Sequence, residues 1–226
     1  MNRSFMRSSL VLMLIIGSAV TASAQQWEVH PYAGGQFLTD FQAKSDQVGR
    51  FDFKNPGIFG IKGGGFISDN FLIEGNVGFV NQMRVRHAFN PPIWGLQYEA
   101  LGSFNFFPMR IAGVYPYVSA GIGGLTLNTH NPLDANGGDT AVYPVRVTPR
   151  PVGGGIFFRE TDQLEIDDGD TFFNFSYGGG VKAQRLWGPL GLRADFRGRT
   201  MPNFYNSQVV HGFEMTAGLL FSWGER

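Results

Sequence analysis

Four charged residues occupy alternate positions of one short stretch: Arg193, Asp195, Arg197 and Arg199. The residues between them, Ala194, Phe196 and Gly198, are apolar. A spacing of two is the period of an extended chain, whose successive side chains point to opposite faces. Four ionic groups therefore share one face of a strand whose other face is greasy. Further charges sit among apolar and small residues at Glu28, Lys62, Glu74, Arg84, Arg86, Glu99, Lys182 and Glu214. Such groups can pair with one another in a water-poor interior, because a buried charge persists only when paired and hydrogen-bonded. Alternatively they line a narrow pore. With a turn near Trp187-Gly188, Lys182 is expected opposite Arg193, and Glu74 across the interior is the carboxylate expected between them. Arg199 is expected to meet Glu214.

Other chemistries find less support. A lipid hydrolase or acyltransferase needs a serine activated by a histidine and oriented by an acid. The histidines are His30, His87, His130 and His211, and no His-x-Ser pair occurs. They read as polar residues at a rim or on loops, and no enzymatic activity is expected. Asp162, Glu165, Asp167, Asp168 and Asp170 offer the oxygen ligands that hard cations favour, but without EF-hand spacing. A solvated acidic loop is the expectation, with no metal or cofactor site. The glycine runs 63–65 and 178–180 lack the strand–loop–helix setting of a phosphate cradle. In strands such glycines relieve crowding.

The elements that position these charges read as strands. Gly is 32 of 226 residues and aromatics are 15%, while charged residues are only 16%. Eight alternating runs stand out: Trp27–Leu38, Ile58–Ile67, Phe71–Arg86, Ile93–Phe107, Val114–Leu127, Thr171–Gln184, Leu190–Thr200 and Gly212–Trp223. One face of these runs has 52 positions and no charge, where the chain average would place about eight. The opposite face carries all twelve charges named above, together with Asn76, Gln97, Ser103, Asn105, Asn174 and Ser176. A soluble barrel would turn the apolar face inward, but eight strands enclose too little space for so many Phe and Trp side chains. In hydrocarbon, an outward Lys or Arg at mid-depth costs about 2–4 kcal/mol, which accounts for the empty face. Backbone groups in lipid must all pair internally, so the sheet must close. The expected fold is all-β: a closed up-and-down antiparallel transmembrane β-barrel of eight strands. Ala141–Val147 and Gly155–Arg159 form either a hairpin that extends the wall above the membrane or a fifth strand pair, which would make ten strands. Short links (68–70, 108–113 and the turn at 187–189) alternate with long ones (39–57, 87–92, 128–170 and 201–211), as in outer-membrane barrels. The segment 128–170 is then a long surface loop. Trp27, Trp187, Phe221 and Trp223 fall at the short-turn end and Trp94 near the other, the two levels of an aromatic girdle.

The first 24 residues read as a separate segment. Arg3 and Arg7 precede an apolar run from Leu10 to Val20, and Ala22-Ser23-Ala24 forms a small-x-small site. That is the anatomy of a secretory signal peptide cleaved after Ala24, with the barrel spanning 25–226. The apolar run is too short for the ~20 residues of a membrane-spanning helix. Lys plus Arg equals Asp plus Glu at 18 each, which argues against nucleic acid as a partner. With no Cys, disulfide frameworks and thiolate metal sites are excluded.

Three stretches resemble the outer-membrane β-barrel domain family, the group that includes the OmpA transmembrane domain and OmpX. They are Phe71–Phe79 (FLIEGNVGF), Phe173–Lys182 (FNFSYGGGVK) and Gly191–Arg197 (GLRADFR). The closing alternation through Phe221 and Trp223 is similar to the terminal signal read by the barrel-insertion machinery. The resemblance implies a monomer in outer-membrane lipid. It is specific for architecture and not for activity; the paired inward charges instead give the expectation of a lumen plugged by salt bridges, and with it a structural or surface-interaction anchor (adhesion or envelope integrity) whose loops meet an unidentified extracellular ligand. The alternative is a narrow porin-like channel for small solutes or ions.

Overall fold

The computed structural model describes residues 26–38, 41–42, 50–51, 53–85, 93–106, 114–128, 140–144, 163–167, 169–204 and 208–224. Eight long strands form the wall: β1 (Gln26–Leu38), β2 (Gly57–Phe66), β3 (Phe71–Val85), β4 (Ile93–Asn105), β5 (Val114–Asn128), β6 (Asp170–Trp187), β7 (Leu190–Phe204) and β8 (Gln208–Gly224). Each pairs antiparallel with its neighbours in sequence, and β1 pairs with β8, so the sheet closes and leaves no edge. Closure matters because an open edge in hydrocarbon would strand a row of backbone donors and acceptors.

The registers fix the geometry of the barrel. Starting at Trp27, successive partners are Gly65, Ile73, Gly102, Ala120, Tyr177, Gly198 and Phe213. Phe213 pairs with Phe37, so one circuit returns to β1 ten residues from its start. Eight strands with this shear tilt by about 41° and enclose a backbone radius of about 8 Å. The outward apolar column from Trp27 to Phe37 spans about 33 Å of strand, or about 25 Å along the barrel axis. That is the height of the apolar band of a membrane barrel.

Alternation holds on every strand. Phe59, Ile61, Val77, Leu96, Val118, Phe175, Tyr177, Leu192, Phe196, Phe213, Met215 and Leu219 face outward and are exposed. Lys62, Glu74, Asn76, Gln97, Glu99, Ser103, Asn174, Ser176 and Arg193 face inward and are buried. Two inward tyrosines need close backbone approach. A Cβ on Gly180 would lie 2.7 Å from the Tyr117 hydroxyl, and one on Gly78 would lie 2.5 Å from that of Tyr32.

The ten-strand alternative does not hold. β5 pairs directly with β6 from Leu127–Asp170 to Val114–Ala183, which leaves no place in the wall for another pair. Thr140–Pro144 pairs instead with Gln163–Asp167 as a separate two-stranded sheet. Gly155–Arg159 lies outside the described residues, as do residues 1–24 with the cleavage site expected at Ala24.

Candidate functional site

The barrel interior is an ionic ladder in three tiers, with β7 as its spine. Arg193, Asp195, Arg197 and Arg199 all project inward because they alternate with Ala194, Phe196 and Gly198. Shear then decides which groups from other strands share their depth.

The tier nearest the short turns joins Lys182 Nζ to Glu28 Oε2 at 2.8 Å. Gln184 also donates to Glu28. The Lys182 ammonium lies 5.3 Å from the Phe66 ring centroid and 5.1 Å from that of Tyr117, within cation–π range. In the middle tier Arg193 forks onto Glu74, with Nη2 3.1 Å from Oε2. Ser103 Oγ donates to the same carboxylate at 2.7 Å. Asp195 accepts from Arg193 Nη2 at 3.1 Å, from Lys62 Nζ at 3.0 Å and from the Tyr117 hydroxyl. In the third tier two arginines and two glutamates form a square. Arg197 contacts Glu99 at 3.0 Å and also Glu214. Arg199 contacts Glu99 at 2.6 Å and Glu214 at 2.8 Å. Asn76 Nδ2 donates to Glu99 at 2.8 Å, and Tyr32 donates to Asn76 Oδ1 at 2.9 Å. Gln97 Nε2 bridges toward Glu214 at 3.2 Å, and Arg199 Nη1 donates to Asn174 at 2.8 Å.

Among the described residues the buried charges are five basic (Lys62, Lys182, Arg193, Arg197, Arg199) and five acidic (Glu28, Glu74, Glu99, Asp195, Glu214). Each stands in at least one ion pair. Uncompensated charge at this burial would cost several kcal/mol per ion, so the balance is a condition of folding. Some polar atoms remain unmatched, including Ser119 Oγ, Ser176 Oγ, Asn174 Nδ2 and the Nε atoms of Arg197 and Arg199.

Above the third tier the pattern inverts. The inward side chains become Ile58, Val80, Ile93, Leu125, Leu127, Met201, Phe204 and Val210, all essentially without exposure. The Phe172 and Phe204 rings meet at 4.6 Å between centroids. Outward positions at this level include Thr126 and Thr171, hydrogen-bonded at 2.8 Å, and Thr200 and His211 at 3.0 Å. An apolar layer thus seals the ionic interior at the long-link end, behind an outer face where these polar groups mix with Trp94 and Val209.

Sequence reasoning brings together most of this ladder: Lys62, Glu74, Glu99, Lys182, Arg193, Asp195, Arg197, Arg199 and Glu214 all converge. Lys182 does face Arg193 in register, and Arg199 does meet Glu214. Two expectations need correction. Glu74 serves Arg193, while Lys182 takes Glu28, because the shear carries β1 to the depth of Lys182. His30 is not a rim residue. Its Nδ1 is 2.8 Å from the Leu219 carbonyl and its Nε2 is 3.3 Å from Asp195. Its place two residues after inward Glu28 was the available signal. The side chains of Arg84, Glu165 and Asp167 fall outside the described residues, as do Arg86, His87, His130, Asp162 and Asp168 altogether. Tyr32, Tyr117, Asn76 and Gln97 join the network as hydrogen-bonding partners that charge patterning alone does not single out. The apolar seal was also missed, although the switch of apolar residues to the other phase after Gly124 marks it.

The aromatic residues fall at two levels. Trp27 pairs with Trp223, and Phe221 and Trp187 both pair with Leu190, so these four sit at the short-turn end. Trp94 pairs with Asn128 at the opposite end, its ring 5.2 Å from that of Phe79.

The family model described as the outer membrane protein beta-barrel domain matches residues 9–216. Neisserial surface protein A has a similar structure, with a TM-score of 0.51 at 15% identity, covering 86% of this chain and 96% of that one. OprG, an outer membrane protein of Pseudomonas aeruginosa, also gives a TM-score of 0.51, at 10% identity and covering 90% and 98%. No curated protein sequence matches the chain significantly. At these identities the structural likeness speaks for the fold alone.

Proposed function

The chain belongs to the outer membrane protein beta-barrel domain family and is an outer-membrane protein, and within that family we propose that it is a closed anchor rather than a conduit. Its barrel holds it in the bilayer, and the segments beyond the long-link end make contact with an extracellular ligand or with the envelope. The observation that carries this reading is the neutral, fully paired set of ten buried charges beneath an apolar layer. Moving an ion through it would require breaking several buried pairs, each costly. In this reading residues 1–24 are a leader removed after Ala24, and the short-turn end faces the periplasm. The protein acts as a monomer, is delivered by the barrel-insertion machinery and carries out no catalysis.

A narrow channel is the second reading. It is favoured by the unmatched polar atoms of Ser119, Ser176 and Asn174 along β5 and β6, which water in the lumen would satisfy. Planar-bilayer recording separates the two. The anchor predicts no reproducible single-channel steps after insertion; stable steps of one amplitude would overturn it.

A further inference from the structure

β6 is irregular where it leaves the membrane band. Ala183 pairs with Leu192 and Trp187 with Leu190, so β6 carries two extra residues between these points. Within the bulge Arg185 adopts φ +53°, a left-handed conformation uncommon for a residue with a side chain. Bulges re-aim side chains. Here the guanidinium is exposed and Nη2 donates to the Gly224 carbonyl at 2.6 Å, across the end of β8. The turn is tied to the same strand by Ser222 N–H donating to the Pro189 carbonyl at 2.9 Å. A guanidinium has five N–H donors, and the contact with Gly224 uses one. The same rim carries exposed indoles: Trp187, two residues on, at 65% exposure and Trp223, next to Gly224, at 48%, with Trp27 paired to Trp223. The other exposed charge of this rim among the described residues, Asp69, sits in the β2–β3 turn, beyond β1. Among the described residues the arc from β6 to β8 is therefore cationic and aromatic, and the arc at β2–β3 is anionic.

We propose that the β6–β8 rim binds an anionic phospholipid headgroup, with Arg185 on the phosphate and Trp187 and Trp223 at the boundary between acyl chain and headgroup. The chemistry fits at three points. Arginine presents a planar fork to phosphate oxygens. Indoles settle at the headgroup level with the ring in the apolar zone. The bulge holds the cation at that level by fixing it to Gly224. This inference rests on the membrane reading above.

The test uses the full barrel in phosphatidylcholine vesicles containing chain-brominated phosphatidylglycerol or chain-brominated phosphatidylcholine, read by tryptophan quenching. A Trp94→Phe background confines the signal to this rim. One arginine near a charged lipid surface predicts about a fivefold preference for the anionic lipid. Arg185→Gln should abolish the preference and Arg185→Lys should retain much of it. Arg185→Gly, which also relieves the left-handed backbone, should abolish it without loss of folding. Millimolar glycerol phosphate should not compete, because the site needs a headgroup held in the membrane; competition would overturn the lipid assignment. Insertion is read on the same samples by heat-modifiable electrophoretic mobility. Failure to insert would overturn the membrane reading and the site with it. Insertion with equal quenching by the two lipids would overturn the headgroup site alone.

Discussion

Glu99 is the most heavily engaged carboxylate of the upper tier, and replacing it with Gln removes a charge without opening a cavity. It accepts from Arg197 Nη1 at 3.0 Å, Arg199 Nη1 at 2.6 Å, Asn76 Nδ2 at 2.8 Å and, at the long limit, Gln97 Nε2 at 3.4 Å. In Glu99→Gln one oxygen remains to accept, while the new amide presents its own donors to a guanidinium. Removing one partner from a buried ion pair costs about 3–5 kcal/mol. Both arginines keep Glu214, which places the loss near the lower end, about 3 kcal/mol. With a urea slope of about 2 kcal/mol/M, the unfolding midpoint in lipid vesicles should fall by about 1.5 M. Adding Arg197→Met restores a neutral lumen and should recover about half of that loss or more, since replacing whole buried ion pairs with apolar groups is often neutral. Unfolding is followed by tryptophan fluorescence together with electrophoretic mobility. An unchanged midpoint in Glu99→Gln, accompanied by new conductance, would refute the reasoning. It would mean that Glu99 lies in water and is screened.

Two further perturbations probe the wall and the seal. Phe175→Arg places a cation on the lipid face and should cost about 2–4 kcal/mol, whereas Thr171→Arg at the level of the seal should cost about 0–1 kcal/mol; equal costs in equilibrium unfolding would show that the band is misplaced. Phe204→Ala opens the apolar layer and should destabilise by about 3–5 kcal/mol while speeding hydrogen exchange of the Arg199 side chain by NMR; protected Arg199 protons in that variant would argue that something other than this layer excludes water.

The sequence makes the wall legible because its determinant is local. Period-two alternation assigns Phe175 and Leu219 to one environment and Arg193 and Glu74 to the other without knowledge of which strands are neighbours. Partner choice inside the barrel is not local. Whether Lys182 meets Glu28 or Glu74 depends on shear, a quantity set by all eight registers together. His30 shows an intermediate case: its phase along β1 was readable, yet its partners Asp195 and Leu219 come from β7 and β8 and required closure of the sheet. The apolar seal leaves no mark on the charged positions. Above Arg199 the inward face trades ions for Met201 and Phe204, and the alternation continues with its meaning reversed. β6, to Trp187, and β7, to Phe204, also run longer than expected, since hydrogen bonding in a closed sheet continues past the apolar band, while β4 stops at Asn105, short of the expected Phe107.

Spin-label accessibility, position by position, bears most directly on the sidedness of the wall. Labels at Phe175 and Leu219 should collide readily with dissolved oxygen, which concentrates in acyl chains, and scarcely with a water-soluble nickel chelate. Labels at the neighbouring Ser176 and Leu220 should be shielded from both. Oxygen shielding at 175 and 219, with free access of the chelate to 176 and 220, would contradict the structure at its root.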